Sequence, residues 1–328
     1  MLAVAWWRGA LNPAIRQLTQ PRIPGLNERP DPRVATGGRL LIPLPEGLVV
    51  LPLGSTSPET LVPSGASASI THGRWSPNGR DALYAIFHVR AGDTAASSEI
   101  FLVEPGKEPR NVASRDRPGT ALETPEWLPD GRSFVMGVTV LENQRLTKRV
   151  ERVDLASGAR AQIADGALPA VSPDGKQLLT VRADRQGEQL RSSPIEGGEP
   201  VQVVPPGQFS VLGQARFSPD GKRIALPASS PPPAAERRQS EQGPVAGLLL
   251  PSVAYAHGDP WDVFILDATG GEPRLLAKLQ EDEVSLAWSP DGTRLAAFAS
   301  RGVYLIGMDG SVNFILDRGG FGGIDWAP

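Results

Sequence analysis

Trp288-Ser289-Pro290-Asp291-Gly292 is the stretch that decides the fold, because it keeps returning along the chain. Trp75-Ser76-Pro77-Asn78-Gly79, Trp127-Leu128-Pro129-Asp130-Gly131, Val171-Ser172-Pro173-Asp174-Gly175 and Phe217-Ser218-Pro219-Asp220-Gly221 are further copies, and Trp326-Ala327-Pro328 begins a sixth. Proline presets φ for the first central position of a type I turn. Ser and Asp or Asn bond local backbone groups, and Gly accepts positive φ. A type I turn followed by a left-handed Gly is a common hairpin connection. The aromatic or apolar residue before the turn therefore ends one strand. A β-rich apolar run after it, such as Arg294-Leu295-Ala296-Ala297-Phe298 or Leu83-Tyr84-Ala85-Ile86-Phe87, makes the next. Runs that are apolar at successive positions indicate strands buried on both faces.

A second turn follows in each unit: Val103 to Gly106, Val153 to Gly158, Ile195 to Gly198, Leu266 to Gly271, Gly307 to Gly310, and Leu53-Gly54 near the start. Three strand-like runs, Gly38 to Pro43, Gly47 to Leu51 and Glu59 to Val62, lack a preceding motif strand. Gly323 to Pro328 is a motif strand with nothing after it. The motif prolines lie 52, 44, 46, 71 and 38 residues apart. Four strands per unit at about 40–45 residues mark a β-propeller. The expectation is an all-β, six-bladed β-propeller of four-stranded blades, the last blade closed by strands from both termini.

Residues 39–328 form the propeller on this reading, with a loop insertion at about 227–260 between the second and third strands of its blade. Ser229 to Ser240 is polar and low in complexity, whereas Val245 to Tyr255 is apolar. Residues 1–38 are an N-terminal tether, a possible remnant of a secretion signal or anchor. Five prolines between Asn12 and Val34 read as an extended, loosely held chain. No apolar run is long enough to span a bilayer. A net charge of −3 gives no reason to expect nucleic acid. With no cysteine in the chain, disulfides and thiolate chemistry are excluded.

Repeats of the form Trp/Phe-Ser-Pro-Asp-Gly, with a downstream strand ending as in Asp267-Ala268-Thr269-Gly270-Gly271, resemble the TolB-type, WD-like β-propeller repeat family. The resemblance covers about residues 39–328. It implies the six-bladed fold and, since the repeat occurs in bacterial envelope proteins, a periplasmic or otherwise extracytoplasmic location. It also occurs in peptidase propellers, and fold does not imply function.

Chemistry is sparse. Gly-x-Ser-x-Gly is absent. His72, His88 and His257 have no metal-ligand spacing, and His72 and His88 read as strand-end residues. Asp130, Asp174, Asp220 and Asp291 read as turn residues, and Glu281-Asp282-Glu283 as a solvated loop. Arg145, Lys148, Arg149 and Arg152, mixed with Glu142 and Glu151, form a charged strand edge. Gly319-Gly320-Phe321-Gly322-Gly323 reads as a tight bend before the closing strand. The candidate binding residues are Tyr255, His257, Asp259 and Trp261, an aromatic and acidic group in the insertion. The expected function is a non-catalytic binding scaffold, a monomer with a protein or small-ligand partner and no cofactor. The alternative is a propeller hydrolase or lactonase with a polar or metal site in the central channel. Three or more carboxylates or amides converging on the axis would favour the enzyme, and a lining of small and apolar residues the scaffold. A third possibility is a sensory module tethered through residues 1–38.

Overall fold

The computed structural model describes residues 26, 29–32, 37–65, 68–88, 97–143, 145–230 and 260–328. Each pentapeptide folds as its chemistry dictates. Gly79, Gly131, Gly175, Gly221 and Gly292 have φ between 64° and 71°, a region that glycine enters at little cost. In the copies at Ser172, Ser218 and Ser289 the Ser Oγ donates to the Asp Oδ1 at 2.6 Å. That carboxylate accepts the N–H two residues further on. The same Ser Oγ accepts the N–H that opens the next strand. These bonds hold Asp174, Asp220 and Asp291 below the usual carboxylate range. The motif is thus a rigid hairpin corner, reused around the molecule.

Three strands open the sheet structure: β1 (Arg39–Leu44), β2 (Gly47–Pro52) and β3 (Glu59–Pro63). Blade 1 follows as β4 (Ala68–Trp75), β5 (Ala82–His88), β6 (Ser97–Val103) and β7 (Arg110–Ser114). Blade 2 is β8 (Thr120–Trp127), β9 (Ser133–Glu142), β10 (Arg145–Asp154) and β11 (Arg160–Asp165). Blade 3 is β12 (Ala167–Val171), β13 (Gln177–Asp184), β14 (Gly187–Pro194) and β15 (Val201–Val204). Blade 4 has its inner strand in two pieces, β16 (Val211–Leu212) and β17 (Arg216–Phe217), followed by β18 (Arg223–Ser229), β19 (Trp261–Asp267) and β20 (Arg274–Glu281). Blade 5 is β21 (Ser285–Trp288), β22 (Arg294–Phe298), β23 (Val303–Gly307) and β24 (Val312–Leu316), and β25 (Asp325–Ala327) ends the chain. Within every blade the strands pair antiparallel in order from the axis outward. β25 pairs with β1 at Arg39↔Ala327, Leu40↔Trp326 and Leu41↔Asp325, so blade 6 is β25-β1-β2-β3 and both termini close the ring, as expected.

Because strands alternate in direction, the motif turns and the second turns lie on one face. The starts of the inner strands and the connections between second and third strands lie on the other. The insertion leaves after Ser229 and returns at Pro260, so it belongs to this second, insertion face.

Each seam between neighbouring blades carries one apolar cluster. The seam between blades 4 and 5 is the largest, built from residues such as Val263, Leu279, Leu286, Trp288 and Tyr304. That between blades 2 and 3 is the smallest, with Leu128, Val135, Val150, Leu178 and Ile195. Arginines at the first position of a second strand latch one blade to the next. Arg223 lies over the Trp288 ring, 4.9 Å from its centroid, and its Nη2 donates to the Gly292 carbonyl at 3.0 Å. Arg39 repeats this across the closing seam, 4.8 Å over Trp75 with a bond to the Gly79 carbonyl. Such stacking adds about 0.5–2 kcal/mol to a seam.

Two expectations change. Glu281 is not solvated: it is 1% exposed, and its carboxylate accepts from Arg301 Nε, Ser300 Oγ and Tyr304 OH. It ends β20 and clasps blade 4 to the turn after β22; the three donors repay its lost hydration. The described part of the tether is held, too. Leu26 packs on the cluster between blades 4 and 5, and the Asp31 N–H donates to the Phe314 carbonyl of β24 at 2.9 Å.

Candidate functional site

The residue just before each motif occupies the same place on each inner strand. Around the ring these are Arg74, Glu126, Ala170, Arg216, Ala287 and Asp325. The four charged side chains meet. Arg74 Nε donates to Glu126 Oε2 at 3.0 Å, and Arg216 Nη1 donates to the same oxygen at 2.5 Å. Arg216 Nη2 lies 3.6 Å from Asp325 Oδ1. Blades 2 and 4 are not neighbours, so the Arg216–Glu126 pair is made across the axis. Gln214 joins from the gap between β16 and β17, its Oε1 accepting from Arg74 Nη2 at 2.7 Å and its Nε2 donating to the Pro169 carbonyl at 2.6 Å. Gln214 reaches inward because the strand is broken at Gly213, where a Cβ would lie 2.7 Å from the Trp261 ring.

Arg74 is 1% exposed and also donates to the carbonyls of Gly73 and Ile324. Asp325 Oδ2 accepts the Trp75 N–H at 2.8 Å. Burial pushes the Asp325 carboxyl up, against the pull of Arg74 and Arg216. Burial works against Arg216 as well, but Glu126 and Asp325 raise it overall. Two cations and two anions thus neutralise one another in a place poor in water. Truncating one member leaves a charge without its partner.

His72 lies inside β4, not at a strand end, where Thr71 bulges out of the pairing with β5. Its Nδ1 shares a hydrogen bond with Thr71 Oγ1 at 3.1 Å. Burial, then Arg74 and Arg216, lower its pKa to about 3, so the ring is neutral. Gly323, on the approach to β25, bridges to His72 in parallel fashion, and its N–H donates to the Thr71 carbonyl at 2.8 Å. His88 ends β5, as expected, and meets Glu99 at 3.1 Å.

The lining meets the count of carboxylates and amides set above for the enzyme, but with arginines among them. Glu126, Gln214 and Asp325 converge on the axis, yet Arg74 and Arg216 lie among them and hold both carboxylates. Among the described residues, no three His, Asp or Glu side chains come together to hold a metal ion. The sequence carried a signal for this ring, the residue preceding each motif. It went unread because nothing in one copy marks that position as axial.

Of the candidate binding residues, Tyr255, His257 and Asp259 lie outside the described residues. Trp261 opens β19 and is 4% exposed, its ring against Gly213. Asp262 beside it accepts the N–H groups of Leu279 and Gln280, and burial raises its carboxyl. No helix among the described residues is long and apolar enough to cross a membrane.

No protein-family model and no curated protein matches the chain. Solved structures do. TolB from Acinetobacter baumannii is similar at 20% identity with a TM-score of 0.64, covering 89% of this chain and 67% of that one. A chain of a nidogen/laminin complex is similar at 12% identity with a TM-score of 0.63, covering 89% and 99%. An oligogalacturonate lyase in complex with manganese is similar at 15% identity with a TM-score of 0.50, covering 82% and 70%. Repeated motifs, six blades, the strand shared between termini and these likenesses lead to one conclusion: the chain folds as a six-bladed β-propeller, similar in fold to the propeller-containing TolB structure.

Proposed function

We propose that this chain is a non-catalytic binding scaffold that engages a protein or small-ligand partner through its insertion face, on the extracytoplasmic side of the cell. The observation that carries this reading is the ring at the axis. Glu126 is bound by both Arg74 and Arg216, and Asp325 is paired with Arg216. A carboxylate already bonded to guanidinium groups is a poorer base and a poorer metal ligand, since the adjacent positive charge stabilises the anion and balances the local charge. The ring serves best as a neutral hub that ties together the inner strands of blades 1, 2, 3, 4 and 6. A rigid hub suits recognition by loops mounted on it. The insertion is attached on the insertion face and its sequence carries Tyr255, His257 and Asp259. Similarity to TolB supports the scaffold and its location.

Replacing residues 231–255 with a short Gly-Ser linker tests this. The shortened chain should keep its unfolding midpoint and lose partners that the full chain retains from an envelope extract. An insoluble shortened chain, or an unchanged set of partners, defeats the proposal. The enzyme reading draws on the convergence of Glu126, Gln214 and Asp325. Isothermal titration with Mn²⁺ and Ca²⁺ separates the two, because stoichiometric metal binding abolished by Glu126→Gln would favour the enzyme.

A further inference from the structure

The seam between blades 2 and 3 has the smallest apolar cluster among the described residues, and on the insertion face it ends between the β9–β10 and β13–β14 hairpins. β9 and β10 are ten residues each and end in a projecting hairpin. Outer strand β11 covers β10 only from Arg149 to Val153. Beyond that, the Lys148 carbonyl accepts the Gly166 N–H at 3.0 Å, and the edge of β10 is then uncovered among the described residues. In an antiparallel strand the N–H and C=O of one residue point to the same side, and alternate residues point to opposite sides. The main-chain groups of Leu146 therefore point outward with those of Lys148, away from β9.

The side chains along this edge define what would fit. Leu141 and Leu146 face each other across the hairpin and are 56% and 39% exposed. Leu146 and Lys148 lie on the same side of β10 as Val150, which packs against Leu178 of blade 3. On the β13–β14 hairpin Arg182 lies on the same side of β13 as Leu178 and is exposed. Arg145 adds a third exposed cation at the tip. The nearby anions have partners of their own, although Glu123 and Glu188 also face Lys148, and Asp184 lies on the same side of β13 as Arg182, where it accepts from Gln186 and Gln189. Glu142 is paired with Arg117 at 3.3 Å, and Glu188 accepts the Leu212 N–H at 2.7 Å. Glu123, deeper in β8, is pushed toward its neutral form by burial, with Lys148 opposing. The strand edge at Leu146, an apolar pair and the exposed cations Arg145 and Arg182 remain, with Lys148 shared with Glu123 and Glu188.

We infer that this edge of β10 binds an extended acidic segment of a partner protein, which pairs as a short strand with the outward main chain of Leu146, beyond the Gly166–Lys148 bond. Charge complementarity selects the occupant: Arg145, Lys148 and Arg182 attract carboxylates, and Leu141 with Leu146 receives an apolar side chain. The same cations exclude a second copy, because edge-to-edge pairing would set Arg145 and Lys148 against themselves.

The test uses the full chain and a fluorescein-labelled peptide of about ten residues, alternating Glu and Thr around a central Leu. A control peptide carries Lys in place of Glu. Fluorescence polarisation should give saturable binding of the acidic peptide alone, weakened by raised salt. Exchange of the Leu146 amide should slow when it binds. Leu146→Pro removes an outward N–H that β9 does not use, a substitution that edge strands accept. It should weaken binding roughly tenfold, and so should Arg145→Glu with Lys148→Glu, with unfolding midpoints retained. The charge-reversed pair, entirely on the surface, remains informative should the proline variant unfold. Equal binding of the Lys peptide, undiminished binding by the charge-reversed pair, or no saturation overturns the inference. Replacing residues 231–255 should not change peptide binding, so this site and the proposed insertion-face function fail or stand separately.

Discussion

Glu126 shows how much one residue can hold when its partners come from distant blades. It accepts from Arg74 and Arg216, whose other donors are already committed to Gln214, Gly73, Ile324 and Asp325. Glu126→Ala leaves two buried guanidinium groups facing each other, and should cost about 3–5 kcal/mol in urea unfolding. Glu126→Gln keeps the size and one acceptor and should cost less. His72 gives a pH signature. Its folded pKa is lowered to about 3, so between about 6.5 and 3 the unfolded chain takes a proton that the folded one refuses. Stability contributed by the neutral ring is therefore full above that window and declines as pH falls through it, by at most about 1.4 kcal/mol per pH unit. His72→Gln should flatten the difference in unfolding free energy between pH 7 and pH 5. Equal slopes for variant and parent would show that His72 is not held neutral.

At the scale of the element, the repeated hairpin corner was legible because its determinants are local. Pro presets φ, the side chains of Ser and Asp bond within five residues, and Gly takes the left-handed position. The bend at Gly319 to Gly323 was legible as a bend for the same reason, but not its purpose. Gly322 has φ +125°, and a Cβ there would lie 1.8 Å from the Thr71 carbonyl oxygen. The glycine lets the approach to β25 lie directly against β4. Gly322→Ala should therefore destabilise the chain by several times the ~1 kcal/mol of an ordinary Gly-to-Ala mismatch, read as a lowered thermal midpoint. The same substitution at Gly106, where nothing lies within 4 Å of the new Cβ, should cost only its positive-φ penalty.

For the whole molecule, closure is the decisive event. β25 supplies three paired residues to β1, the Ile324 and Trp326 side chains to the seam with blade 5, and Asp325 to the axial ring. A chain ending at Gly320 loses all of these together and leaves Arg74 and Arg216 short of acceptors. It should unfold early and over a broad range, as a ring with one open joint loses its cooperativity. A sharp transition within a few degrees of the full chain would show that the axial ring and the remaining seams suffice.

The sequence alone determined the blade count, the turn chemistry, the place of the insertion and the sharing of the last blade between termini. These follow from local dihedral preferences and from a period that any reader can measure. Tertiary structure decided what faces the axis and what is buried. Arg74, Glu126, Arg216 and Asp325 are 52 to 250 residues from their partners across the ring, and only ring closure brings them together. Glu281 reads as a solvated acid by its neighbours and is a buried clasp because Tyr304, Ser300 and Arg301 come from the next blade. Local bonds are written in adjacent residues, whereas charge pairing across an axis depends on geometry that no short stretch contains.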